Sequence, residues 1–113
     1  RMALVTGRPR RDAMEFLERE GWTEFFETAV VMGETAPKPD PAPVREALRR
    51  LGVATAWMIG DTVDDVVAAR SAGVVPIGMV FPGENLERET NLLLRAGAAR
   101  VIADAKELEG LLP

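Results

Sequence analysis

The sequence predicts an α/β fold, a parallel sheet with helices packed against it, and two observations carry that prediction. Short apolar runs alternate with segments whose apolar residues recur at helical spacing, from one end of the chain to the other. At three places an apolar or looping stretch opens into a cluster of polar groups: Val5-Thr6-Gly7-Arg8, Lys38-Pro39-Asp40-Pro41 and Ile59-Gly60-Asp61-Thr62-Val63-Asp64-Asp65. In open parallel sheets ligands bind just beyond the C-terminal ends of the strands, where such clusters fall.

The elements follow in order. Met2-Ala3-Leu4-Val5 is the first strand. Residues 10–20 set Ala13, Phe16 and Leu17 at helical spacing, and Gly21 suits the left-handed position that ends a helix. Thr28-Ala29-Val30-Val31 reads as the second strand, and Met32 to Pro43 holds four prolines and reads as a loop. Val44, Ala47, Leu48 and Leu51 form an i, i+3, i+4, i+7 stripe with Gly52 as its stop. Ala56-Trp57-Met58-Ile59 is a third strand, apolar throughout as expected when both faces are covered. Residues 64–72 are helical up to Gly73, residues 74–80 a strand containing Pro76, and residues 85–96 a helix ending at Gly97. Arg100-Val101-Ile102 is a short last strand, and 104–112 a final helix opened by a capping-box-like pair, Asp104 and Glu107.

Composition narrows the chemistry. At 113 residues there is room for one domain with a modest core, and 47% hydrophobic with 28% charged residues is a globular balance. A net charge of −4 gives no reason to expect nucleic acid or an anionic membrane as partner, and no apolar run approaches the about 18 residues of a membrane-spanning helix. The default location is cytoplasmic. Cysteine and histidine are both absent, so thiolate ligands are excluded and any general acid or base is a carboxylate or a lysine. The only lysines are Lys38 and Lys106. From Arg1 the chain enters an apolar strand at once, and the expectation is that an N-terminal part precedes it.

Each polar cluster has a functional and a structural reading. Thr6 and the Gly7 amide can together face one anion, or Thr6 can simply cap a turn. Lys38, between Pro37 and Pro39, is a compact positive charge on a restricted backbone, suited to a phosphate and an adjacent carboxylate, or else an exposed loop lysine. Asp61, with Asp64 and Asp65 three and four residues on, gathers carboxylates at a helix N-terminus, either as hard oxygen ligands for Mg²⁺ or as an acidic helix cap.

In this order and spacing the three motifs resemble those of the haloacid dehalogenase superfamily of hydrolases, the phosphatase-rich branch that includes phosphoglycolate phosphatases. Thr6 matches the family's second motif, Lys38 in Lys-Pro-Asp-Pro the third, and Gly60-Asp61 through Asp65 the fourth. The stretch from Asp65 to Gly73 resembles the helix that follows. The resemblance implies a Rossmann-like three-layer α/β/α parallel sheet, here lacking its first strand and cap, so that residues 1–113 are a partial core domain. It implies a Mg²⁺-dependent phosphatase acting on a small phosphorylated metabolite through an aspartyl-phosphate. No Asp-x-Asp ends an apolar strand here, so the nucleophile and general acid would lie in the N-terminal part. Thr6, Gly7 and Lys38 would bind the phosphoryl group and Asp61 the metal, while Asp65 would complete the metal shell or hold Lys38. Alone, these 113 residues are expected to be inactive and to need their N-terminal segment or another copy of the chain to complete the sheet. A receiver-like signalling domain is the further alternative, but its acids come before its threonine and lysine. A dehalogenase proper is disfavoured by Gly60-Asp61, because it uses no metal.

Overall fold

The computed structural model describes residues 1–111. The elements are β1 (Met2–Val5), α1 (Arg10–Glu20), a 3₁₀ turn (Thr23–Phe25), β2 (Phe26–Val30), α2 (Ala42–Leu51), β3 (Trp57–Gly60), α3 (Val63–Ser71), β4 (Val75–Met79), α4 (Leu86–Ala96), β5 (Arg100–Ile102) and α5 (Lys106–Glu109). The pairings described are all parallel: β1 with β2, and separately β3 with β4 with β5. The strands therefore form two groups, with the edges of β1 and β3 unpaired among the described residues.

One layer of helices covers one face. Val44 and Leu48 of α2, Ala68 and Ala69 of α3 and Met58 of β3 meet in one cluster. Val66 of α3, Leu93 of α4 and Val101 of β5 meet in a second. On the other face α1 sets Ala13 against Ala29 and Val31. Helices thus lie on both faces of the β1–β2 pair. Gly21 and Gly52 end α1 and α2 with φ of 72° and 69°, a conformation glycine adopts without steric penalty.

The structure differs from the sequence reading in four places. β2 runs from Phe26 rather than Thr28, because the 3₁₀ turn ends at Phe25 and leaves the chain extended at once. α2 begins at Ala42, since Pro43 fits the first turn of a helix, where its missing N–H has no partner to lose. β3 is covered on one face only: Trp57 and Ile59 are 40% and 44% exposed, beside Val75 of β4. No helix among the described residues lies over them. The final helix is one turn, Lys106–Glu109, shorter than the predicted 104–112, whose last residue lies outside the described ones. Its entry is nonetheless built as expected, with the Glu107 carboxylate accepting the Asp104 N–H at 2.9 Å and Asp104 accepting the Lys106 N–H.

Candidate active site

Thr6 follows β1 directly. Its N–H donates to the Val30 carbonyl (3.0 Å), which continues the parallel ladder one residue past the strand. Its hydroxyl oxygen accepts the Arg8 N–H at 3.2 Å, a turn contact that leaves the hydroxyl proton free to donate. α1 starts with no side-chain cap, so Thr6 braces the turn rather than the helix. Thr6, Gly7 and Lys38 line one cleft of about 220 Å³ with Val31, Met32 and Pro37. Residues distant in sequence thus converge at the C-terminal end of β1.

Lys38 reaches across to the second strand group. Its Nζ donates to Asp65 Oδ1 at 2.5 Å, with 18% of the lysine side chain and 8% of the aspartate side chain exposed. The other Asp65 oxygen, Oδ2, accepts the N–H groups of Asp61 (3.1 Å) and Thr62 (3.2 Å), and the Asp65 N–H donates back to the Thr62 hydroxyl (3.1 Å). Thr62 and Asp65 form a reciprocal capping box at the start of α3. Burial pushes the Asp65 carboxyl up, but the Lys38 hydrogen bond and charge, with the Thr62 contacts, outweigh it and hold the group below its ordinary value. Asp61 and Asp64 are exposed, and neither side chain makes a hydrogen bond among the described residues.

The sequence reading named Asp65 and gave no positioning role to the two residues that put it in place. Thr62-x-x-Asp65 has the same capping-box spacing as Asp104 and Glu107 and was legible by the same rule. Gly60 is the other. A Cβ there would lie 2.4 Å from Asp65 Cβ and 2.6 Å from Oδ2, so β3 and α3 approach this closely only over a glycine.

The donor set bears on Mg²⁺. Both Asp65 oxygens are engaged, by Lys38 and by two amides, whereas the Asp61 carboxylate stands uncommitted past the end of β3. No group of three or more potential ligands occurs among the described residues. One or two carboxylates with several retained waters is nevertheless a common Mg²⁺ arrangement, and an exposed aspartate at a strand end fits it.

A hydroxyl, an amide and a lysine in one cleft, at the C-terminal ends of parallel strands, can donate together to one oxyanion. Residues 1–79 match the model of the haloacid dehalogenase-like hydrolase family, and the chain belongs to that family. It is 46% identical over 83 residues to an imidazoleglycerol-phosphate dehydratase of Phytophthora nicotianae, covering 72% of this chain and 18% of that one. It is 35% identical over 85 residues to a phosphoglycolate phosphatase of Psychrobacter arcticus, covering 72% of this chain and 36% of the relative. Among solved structures, a hydrolase of this family from Deinococcus radiodurans, with bound phosphate and sodium, superimposes with a TM-score of 0.81 at 26% identity, over 96% of this chain and 50% of that one. The chain thus spans half or less of the length of each of these proteins. No helix among the described residues is long and apolar enough to cross a membrane.

Proposed function

We propose that the chain is the phosphate- and metal-binding part of a Mg²⁺-dependent phosphatase acting on small phosphorylated metabolites. The observation that carries this reading is the shared cleft of Thr6, Gly7 and Lys38, with Lys38 held by Asp65. The Thr6 hydroxyl and the Gly7 amide would donate to phosphoryl oxygens. Lys38 would neutralise charge as it builds in the transition state, when a fixed cation counts for most. Asp61 would hold Mg²⁺, which supplies charge neutralisation at the phosphoryl oxygens when bound. Asp65, of the two roles open to it, suits that of holding Lys38, since both its oxygens are already engaged. The nucleophilic aspartate, which would form the aspartyl-phosphate, belongs in this reading to an N-terminal segment whose strand fits between the unpaired edges of β1 and β3. The absence of any pairing between β1 and β3 among the described residues supports that placement. By themselves residues 1–113 would be inactive. The substrates of the relatives belong on the first test panel: phosphoglycolate, and a phosphomonoester bearing an imidazole ring.

The test is turnover of a generic aryl phosphate and of that panel by the protein at its native length, with and without Mg²⁺. Asp61→Ala is expected to abolish Mg²⁺-dependent turnover and leave the fold intact, and Asp64→Ala to do much less. Lys38→Ala is expected to cost on the order of 10²-fold or more, as removal of an oxyanion-stabilising donor does. Undiminished turnover in Asp61→Ala removes the metal assignment, and near-normal turnover in Lys38→Ala returns that residue to an ordinary loop lysine.

A further inference from the structure

β2 is the outer strand of its pair, yet its outward-facing backbone is not bare. Val30 turns its carbonyl toward β1, where Thr6 donates to it, so the polar groups of Ala29 and Val31 point away from the sheet. Side chains take the place of a neighbouring strand. The Ala29 carbonyl accepts from Arg10 Nη2 of α1 (3.1 Å) and Arg50 Nη1 of α2 (2.8 Å), and the Val31 N–H donates to Glu34 Oε1 (3.0 Å). The Glu34 carboxylate in turn accepts from Arg10 (2.8 Å) and from Arg50 Nη2. One carboxylate, folded back at the exit of β2, therefore ties together both flanking helices and the strand end.

Lys38 lies four residues beyond Glu34. We infer that Glu34 is the positioning residue for Lys38: its clasp with Arg10, Arg50 and Val31 fixes where the lysine-bearing loop leaves β2. The far end of the loop is fixed independently, by the Asp40 N–H on the Pro37 carbonyl (3.0 Å) and the Ala42 N–H on the Asp40 carboxylate (2.8 Å). Between these ends, among the described residues, Lys38 alone makes a side-chain hydrogen bond outside the loop, to Asp65. Beside the clasp, the Met32 N–H donates to the Arg8 carbonyl (2.9 Å), two residues before Arg10 and two after Thr6, which registers the start of the loop against Thr6. Glu46 provides an internal contrast. It shares Arg50 (3.0 Å) and pairs with Arg49, but touches no residue of the loop.

This inference rests on Lys38 being functional, and its test separates the two claims. Within residues 1–113 the only lysines are Lys38 and Lys106, so peptide mass spectrometry can follow the acetylation of each in the native-length protein, Lys106 serving as reference. Glu34→Gln is expected to raise the Lys38 rate about tenfold, as expected for loss of charge-assisted bonds holding a local segment closed. Arg10→Met, which keeps the Arg50 arm, is expected to give a smaller rise, and Glu46→Gln none. Protection of Lys38 unchanged in both Glu34→Gln and Arg10→Met overturns the inference. An equal rise in Glu46→Gln also overturns it, by marking a general loosening. If Glu34→Gln exposes Lys38 while Lys38→Ala turns over normally, the positioning stands and the catalytic reading falls. If Lys38 stays protected while Lys38→Ala is inactive, the reverse holds.

Discussion

Around β1 and β2, the groups that hold the strand end and its loop are charged and partly exposed: Arg10, Glu34 and Arg50, with Glu46 joined to them only through Arg50. Around β3, β4 and β5 the corresponding place is filled by apolar side chains, with Val66 and Leu93 each 1% exposed, Val80 at 3%, and Ala68 at 0%. The two halves are tied at the site by Lys38 and Asp65, and behind it by Arg45 of α2 donating to the Ser71 carbonyl (3.1 Å). The contrast teaches a division of labour. An apolar centre resists water and fixes β3 and α3, and with them Asp61 and Asp65. A directional charged rim fixes a loop that has too few apolar residues to pack itself.

The largest effect is expected at the joint, from Gly60→Ala. The added methyl would meet the Cβ of Asp65 at 2.4 Å, an atom one bond from the α3 backbone that cannot swing aside. Either α3 retreats, or Asp65 gives up its contacts with Lys38 and the Asp61 and Thr62 amides. Overpacking and a broken half-buried ion pair together should cost about 3 kcal/mol or more, and turnover should fall with Lys38 displaced. Urea unfolding of the native-length protein reads the first and aryl phosphate turnover the second. Parental stability in this variant would mean that the two halves are coupled less tightly than their contacts imply.

Next in size is the apolar half alone. Leu93→Ala should cost about 2–5 kcal/mol, because Leu93 fills the space between α3 and β4 and its neighbours cannot all collapse into the gap. Glu46→Gln in the charged half should cost far less, since its ion pairs are open to water. Raising the salt concentration should shrink the second difference and not the first. If the two substitutions prove equally costly, the division between apolar centre and charged rim is wrong.

Much of this was legible in the residues, and the rest was not for physical reasons. Periodicity marked α1 over its observed Arg10–Glu20 and β5 over Arg100–Ile102, because helix and strand patterns there end on a glycine or a turn. The start of β2 was misplaced by two residues, since Phe26 and Glu27 carry no β-branched signal, and the strand reaches back through the pairing of Phe26 with Met2, Glu27 falling in the register shift that follows that pair. The open face of β3 could not be read either: Trp57 and Ile59 are as apolar as buried residues, and burial depends on what lies opposite. At the site, Thr6, Gly7, Lys38, Asp61 and Asp65 stood out by residue type and spacing. Gly60 entered only as part of its motif, and Glu34 not at all. The room left at Gly60 depends on how tightly the β3–α3 turn brings Asp65 back over it, and Glu34's choice of arginine on an element 16 residues away, at Arg50.

The smallest expected effect is the response to acid, and it should separate the halves without any substitution. The hydrogen bond from Arg50 leads the contacts that hold the Glu34 carboxyl below its ordinary 4.5, and bonds from Arg49 and Arg50 lower Glu46 to about 2. Asp65 is also lowered, burial being outweighed by Lys38 and Thr62. A carboxyl whose pKa is depressed by folding binds more protons when unfolded, so its contribution is fully present above the ordinary carboxylate range and is lost as the pH falls toward the folded value. The arginines stay charged throughout. As the pH falls below about 4.5 the clasp and the Lys38–Asp65 pair should therefore weaken, while the apolar contacts of Leu93, which hold no titrating group, should not. Amide exchange at Val31, compared with the amides of α4 at each pH, reads the difference. Val31 should lose protection first, and protection lost together in both places would mean that the rim and the centre unfold as one unit.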